Sequence, residues 1–134
     1  MRLIEVIANT PHPGIRGARW HSGSMIAALP LPLLLDHDAG RRIGTVRGIR
    51  VVSDRVMAWA SVRDEFAWRR VCAGGCLSVS SCTALAEGHV RDGMLYEAEL
   101  REVSLLCDRE PDNPECRVVR AWTVAETPKV ELTW

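Results

Sequence analysis

Hydrophobic residues recur along this chain in short runs, and the spacing within most runs is typical of strands rather than helices. Residues 2–8 alternate loosely, and residues 55–62 are apolar on both faces of a predicted strand, which indicates a buried position. Other apolar runs predict strands over 31–37, 43–46, 49–52, 76–84, 94–106 and 116–124. Strands with short connections therefore dominate the predicted fold.

Two stretches carry signals of short helices. Ser22 or Ser24 is a candidate N-cap for a helix that runs through Leu29. Asp64 is a candidate N-cap for a second helix over 65–73, and a glycine pair follows that can take the left-handed conformation that ends helices. The predicted fold class is α+β and strand-dominated: a small mixed β-barrel flanked by short helices.

Length and composition fit a single soluble domain. The chain has 134 residues, of which 47% are hydrophobic and 25% are charged. We predict one domain over 1–124 and a C-terminal tail over 125–134. The longest apolar stretch is broken by Pro30 and Pro32, and the N-terminus lacks the apolar segment of a signal peptide. We therefore expect a cytoplasmic protein that is not secreted and has no membrane partner.

Charge and cysteine content limit the other partners. Lysine plus arginine equals aspartate plus glutamate at 17 each, so no overall positive charge attracts nucleic acid, and we expect no nucleic-acid partner. The five cysteines are an odd number in a chain without a secretion signal, which favours reduced thiols. They form no Cys-x-x-Cys pair typical of structural zinc. We expect neither a metal nor a cofactor.

One polar group at the end of an apolar run is a candidate for proton transfer. Three leucines lead into Asp36, His37 and Asp38. An imidazole titrates near neutral pH, which suits it to act as a base toward a weak nucleophile such as a serine hydroxyl. Side chains adjacent on a strand point to opposite faces, so neither neighbouring aspartate is well placed to orient the His37 ring. On these residues alone, a histidine that only ends a strand remains the simpler interpretation.

Later motifs change that interpretation when they are taken in order. After the His37 run come Ile43-Gly44-Thr45-Val46, then Leu77-Ser78-Val79-Ser80-Ser81, then Leu100-Arg101-Glu102-Val103-Ser104-Leu105-Leu106, and then Pro111-Asp112-Asn113-Pro114. Each motif alone is weak, but in this order they resemble the prohead serine proteases of tailed phages over about residues 29–120. That family is distantly similar in fold to the herpesvirus maturational proteases, so the resemblance implies an assemblin-like fold.

The resemblance also implies a Ser/His/Glu catalytic triad. His37 would be the general base, and Glu102 would orient its ring. The motif Leu-Ser-Val selects Ser78 as the nucleophile, whereas the spacing from the glycine that ends the second helix selects Ser80. We favour Ser80, because its spacing needs no deletion, and keep Ser78 as the alternate. Without the resemblance, Glu102 could equally be a surface residue paired with a neighbouring arginine.

The function implied is that of a phage or prophage maturation protease. Such an enzyme cleaves scaffold or capsid-protein segments, and itself, inside the immature prohead in the host cytoplasm, and we expect a homo-oligomer. Two alternatives stay open. The glycine and the aromatic residue that the family has beside its serine are absent here, which is compatible with a catalytically inactive assembly or scaffolding version of the fold. A cytosolic hydrolase of another substrate class would use the same triad.

Overall fold

The computed structural model describes residues 1–14, 17, 19–75, 78–84, 89–107 and 109–125. Within 78–84, only Val79 is described beyond its backbone. The predicted tail over 125–134 therefore lies almost wholly outside the described residues. Of the strand predicted over 76–84, the structure describes the part from Ser78 onward.

Strands make up most of the described residues. They are β1 (Arg2–Asn9), β2 (Arg19–Trp20), β3 (Ile26–Ala27), β4 (Leu31–Leu35), β5 (Asp38–Val52), β6 (Arg55–Val62), β7 (Ser78–Ala84), β8 (Val90–Arg91), β9 (Met94–Leu95), β10 (Glu99–Leu106) and β11 (Val118–Thr123). Helix α1 spans Glu65–Cys72, and a 3₁₀ turn spans Ser22–Ser24.

One large mixed sheet organises the molecule. Its 8 strands follow the hydrogen-bonded order β11-β1-β6-β5-β4-β10-β3, with β7 also paired to β10. Strand β10 runs parallel to β3 and β4 but antiparallel to β7. Strands β2, β9 and β8 form a separate 3-stranded sheet. The expectation of a strand-dominated fold with a mixed sheet is confirmed, whereas closure into a barrel remains a prediction.

The core lies on the inward faces of the central strands. Strand β1 shows the alternation clearly, with Ile4 and Val6 buried and Glu5 between them only partly so. The fully buried side chains of the other central strands include Leu33, Val46, Val56, Leu100, Val103 and Leu105. Each large apolar side chain of this kind stabilises the fold by roughly 1.5–3 kcal/mol relative to exposure. Strand β6 is less enclosed than predicted, because Trp59 is exposed on its outer face.

Helix α1 forms where its capping signals predicted it. The Asp64 carboxylate accepts a hydrogen bond from the Ala67 amide at 2.9 Å, which satisfies one of the free donors of the first turn. Ala67 and Val71 are buried against the sheet. Gly74 follows at φ 80°, in the left-handed region that glycine occupies without steric cost. The predicted end at position 73 is one residue beyond the observed helix.

Several predicted elements differ from the structure. The helix predicted from Ser22 through Leu29 is wrong: the His21 ring caps a single 3₁₀ turn, and β3 follows. The segments 43–46 and 49–52 are parts of β5, because a register shift at Val46/Gly48 continues the strand through the glycines. The segment 94–106 divides into β9 and β10, since Glu97 lies at φ 56° between them.

The cysteines are not all reduced. Cys72 and Cys116 carry free thiols, whereas Cys107 is disulfide-bonded, so the expectation of five reduced cysteines is wrong for Cys107. The number of cysteines bears on the cellular compartment, whereas formation of a disulfide depends on which thiols the fold brings together. Across the described residues, no helix is long and apolar enough to cross a membrane.

Candidate active site

His37 lies in a tight turn rather than on a strand. Strand β4 ends at Leu35, β5 begins at Asp38, and these two residues pair across the ladder. Asp36 and His37 therefore form a two-residue hairpin connection, with φ of 49° and 60°. Positive φ at both central positions is typical of a type I′ turn, whose twist matches that of the flanking strands. The strand predicted over 31–37 is two residues too long, because the alternation of side chains ends where the chain reverses.

Three hydrogen bonds hold this turn against β10 and the residue that follows it. The Asp36 amide donates to the Leu105 carbonyl at 3.0 Å, and the Cys107 amide donates to Asp36 Oδ1 at 2.9 Å. The His37 amide donates to Ser104 Oγ at 3.0 Å. Non-glycine residues at positive φ are unfavourable in isolation and persist where surrounding contacts fix them. These three hydrogen bonds fix the position from which the His37 ring extends.

The ring of His37 meets the carboxylate of Glu102. His37 Nδ1 lies 2.5 Å from Glu102 Oε1, and the two side chains are 30% and 13% exposed. A carboxylate can only accept, so Nδ1 carries the proton and, in the neutral ring, Nε2 keeps its lone pair. A carboxylate bound at Nδ1 therefore fixes the tautomer and leaves Nε2 as the ring nitrogen that can accept a proton.

The other carboxylates near His37 are engaged elsewhere. Asp36 accepts from the Cys107 amide, and Asp38 Oδ1 accepts from the Gly40 amide at 2.9 Å. Both flanking carboxylates thus bind backbone amides, Asp36 that of Cys107 after β10 and Asp38 that of Gly40 within β5. The alternative of a surface Glu102 paired with an arginine does not describe the structure, in which neighbouring Arg101 lies 3.7 Å from a Glu99 carboxylate oxygen.

The strand with the candidate nucleophiles pairs directly with the strand that carries Glu102. Strand β7 is antiparallel to β10, and the register places Ser80 opposite Ser104 and Ser78 opposite Leu106. The side chains of Ser78 and Ser80 lie outside the described residues. The structure thus brings His37 and Glu102 together and sets the backbone of both serines on the adjacent strand, while a serine–histidine contact stays a prediction.

Ser104 is a site residue that the sequence reasoning missed. It is 0% exposed, accepts from the His37 amide, and donates to Glu102 Oε2 at 3.3 Å. In the sequence it was only one letter of the motif Glu-Val-Ser-Leu. A small polar residue at a buried position between Val103 and Leu105 was the available signal, because buried hydroxyls nearly always have hydrogen-bond partners. Among the described residues, no three His, Cys, Asp or Glu side chains form a group that could hold a metal ion.

Comparison with known proteins finds solved structures with a similar fold. No protein-family model and no curated protein matches the sequence. The structure is similar to that of the Kaposi's sarcoma-associated herpesvirus protease in complex with an allosteric inhibitor, with a TM-score of 0.58, 12% identity, and coverage of 94% of this chain and 78% of that one. A structure of the same protease in complex with a dimer disruptor gives a TM-score of 0.59 at 9% identity, covering 89% and 75%. The chain therefore has the fold of this herpesvirus protease.

Proposed function

We propose that this protein is a serine endopeptidase with a Ser/His/Glu triad. His37 is the general base, Glu102 orients its ring, and Ser80 is the nucleophile, with Ser78 as the alternate. The observation that carries the proposal is the 2.5 Å contact between His37 Nδ1 and Glu102 Oε1, beside the strand that contains both serines. The same fold serves as a protease in a herpesvirus, which supports this use of the site.

The chemistry follows from the ring geometry. His37 Nε2 takes the proton from the serine hydroxyl as its oxygen attacks the peptide carbonyl, and then delivers that proton to the leaving amine. A water molecule repeats the sequence on the acyl-enzyme and releases the second product. Glu102 stabilises the imidazolium that forms in each step, because its carboxylate is already aligned on Nδ1.

The strand register supports Ser80 over Ser78. Ser80 lies opposite Ser104, the residue that contacts both the His37 backbone and Glu102, whereas Ser78 lies opposite Leu106. Two positions along a strand correspond to about 7 Å. The backbone of Ser80 is therefore the nearer of the two to Glu102 and Ser104, the β10 residues that contact His37 itself.

The substrates we propose are scaffold or capsid-protein segments of a tailed phage or prophage, together with the protein's own chain. The order of motifs, which resembles that of prohead proteases, supports this substrate class, and so does the similarity in fold to a herpesvirus protease. The enzyme would act within the immature prohead, in the host cytoplasm, as a homo-oligomer built on a small closed barrel. Support for self-association comes from the similar herpesvirus protease, whose structures include complexes with a dimer disruptor.

Labelling with a fluorophosphonate tests the catalytic proposal without knowledge of the substrate. The purified wild-type protein should be labelled at one serine, which peptide mass spectrometry identifies. Ser80→Ala should abolish labelling, and Ser78→Ala should only slow it. If the folded wild-type protein is not labelled, the catalytic proposal fails and the non-catalytic assembly version of the fold becomes the better interpretation.

A further inference from the structure

Ser104 is enclosed more completely than either residue that it contacts. Its side chain is 0% exposed, and its hydroxyl acts in both directions: it accepts from the His37 amide at 3.0 Å and donates to Glu102 Oε2 at 3.3 Å. A hydroxyl has one proton to donate and lone pairs to accept with, so this arrangement uses both capacities. The buried Ser104 Oγ atom therefore links the backbone of His37 to Glu102 Oε2, the carboxylate oxygen that does not contact the ring.

This link matters because each partner has freedom that the His37–Glu102 contact alone does not remove. The glutamate side chain can rotate about its terminal torsion, which is broad and weakly restricted. The backbone of His37 lies at φ 60°, where a non-glycine residue stays only when neighbouring contacts hold it. Ser104 restricts both, since it binds the carboxylate at Oε2 and the turn at the His37 amide.

The strand geometry adds a third connection. Ser104 is the register partner of Ser80 across β7 and β10, and it also pairs with Leu34 of the strand that leads into the histidine turn. Residues paired in this way have Cα atoms about 4.5–5.5 Å apart in antiparallel ladders. Ser104 thus lies on the strand that carries Glu102, between the strand that leads into the His37 turn and the strand that carries Ser80.

We propose that Ser104 is a positioning residue that holds the His37 ring and the Glu102 carboxylate in one fixed geometry. The catalytic consequence rests on the proposed function, whereas the geometric claim does not. Loss of the hydroxyl removes this partner from both the His37 amide and Glu102 Oε2. The ring and the carboxylate are then no longer held in one geometry. Displacement of a catalytic group by about 1 Å can cost roughly 100-fold in rate.

The test compares Ser104→Ala with Ser104→Thr and with Ser22→Ala. Threonine keeps the hydroxyl. Ser22 is a matched control, because it is 2% exposed and its hydroxyl also makes two hydrogen bonds, to Asn9 Nδ2 and to the Asp54 carbonyl. Two quantities are measured on each folded variant: the rate of fluorophosphonate labelling, and the NMR signal of the His37 Nδ1 proton, which we expect the bond to Glu102 to shift downfield and to protect from exchange.

We expect Ser104→Ala to lower the labelling rate about tenfold to 100-fold and to broaden or remove the Nδ1 proton signal. Ser104→Thr should restore both quantities toward wild type, and Ser22→Ala should change neither. If Ser104→Ala is not folded at the assay temperature, Ser104→Cys, which keeps the shape but weakens both hydrogen bonds, provides the same comparison.

The two readouts separate failure of this inference from failure of the proposed function. An Nδ1 signal in Ser104→Ala identical to that of the wild type overturns the positioning role, whether or not the protein reacts with the probe. Equal losses in Ser104→Ala and Ser22→Ala also overturn it, because they indicate general destabilisation. If the wild-type protein is not labelled but its Nδ1 signal is lost in Ser104→Ala, the positioning role stands and the proposed protease activity fails.

Discussion

The contact between His37 and Glu102 gives each of these residues a partner that its own segment of chain does not supply. The carboxylate is 13% exposed, and burying a charge in this way is costly unless the group is paired and hydrogen-bonded. Pairing with the imidazole at 2.5 Å meets that need and also sets which ring nitrogen is free to accept a proton. One short interaction therefore has both a stabilising and a chemical consequence.

Substitutions of these two residues should differ in the size of their effect. His37→Ala removes the base and should lower the rate of fluorophosphonate labelling by about 10⁴-fold. Glu102→Gln should cost less, because the serine–histidine pair remains and only orientation and charge stabilisation are lost. Circular dichroism of both variants checks that the fold survives. Labelling of His37→Ala at the wild-type rate would show that the triad assignment is wrong.

The buried thiol of Cys116 should make stability depend on alkaline pH. Burial raises the pKa of this thiol from its ordinary value of 9.0 to about 12, with smaller contributions from the Glu115 and Asp112 carboxylates. The folded state therefore keeps a proton that the unfolded state loses above pH 9. The stability is fully present below pH 9 and declines by about 1.4 kcal/mol per pH unit as the pH rises toward 12.

Chemical denaturation at several pH values checks this expectation for the wild-type protein and for Cys116→Ala. The difference in the free energy of unfolding between the two proteins should change above pH 9 and be constant below it. Cys72→Ala, which alters an exposed thiol, should keep the pH dependence of the wild type. Parallel curves for wild type and Cys116→Ala across this range would contradict the assignment.

At the scale of elements, β5 depends on a glycine whose position the neighbouring strand decides. A Cβ atom at Gly44 would lie 2.0 Å from the Ser61 carbonyl oxygen, which belongs to the backbone of the paired strand β6 and cannot move independently. At Gly40 of the same strand, a Cβ would meet only the Asp38 carboxylate, at 3.3 Å. The glycine of the Ile-Gly-Thr-Val motif thus permits close approach of two strands, and not a turn.

Gly44→Ala should lower the free energy of unfolding by about 1–3 kcal/mol, the usual cost of overpacking. Gly40→Ala is the matched control on the same strand, and it should change the free energy of unfolding by less than about 0.5 kcal/mol. Urea denaturation of the two variants measures the difference. Equal free energies of unfolding for the two variants would mean that β5 and β6 can move apart at Gly44 without loss of stability.

At the scale of the whole molecule, the proposed function requires the domain to recognise other chains and a second copy of itself. The chain carries equal numbers of acidic and basic residues, and its isoelectric point is near 6.9. A protein without net charge has little long-range repulsion between copies at neutral pH. Self-association is therefore not opposed by electrostatics under conditions in which a capsid assembles.

Two measurements apply at this scale. Light scattering during gel filtration should give twice the monomer mass at high concentration and a decrease on dilution, and a monomer at every concentration would contradict the homo-oligomer. Co-expression with a capsid or scaffold protein encoded by a neighbouring gene should produce a shortened product on a gel, and His37→Ala should prevent it. Processing at the wild-type rate in His37→Ala would show that the triad assignment is wrong and would favour the non-catalytic assembly version of the fold.

The sequence alone determined the features that depend on nearby residues. The capped helix α1 and strand β6 follow from a side-chain N-cap, a following glycine and an alternating run, all of which lie within a few residues of each other. The motif order pointed to His37 and Glu102 as candidates. Where local signals were ambiguous, as for the glycines within β5 and for the segment after Ser22, the predicted elements differed from those observed.

Tertiary structure alone decided how those candidates meet. His37 and Glu102 are 65 positions apart, and their contact depends on the register of β4 against β10, with Leu35 opposite Leu105. Alternation of apolar and polar residues shows which face a residue occupies but not which partner lies opposite, because a shift by two residues keeps every face the same. For the same reason the role of Ser104 was not predictable from the sequence, because its hydrogen bond to the His37 amide exists only after β4 has been placed beside β10.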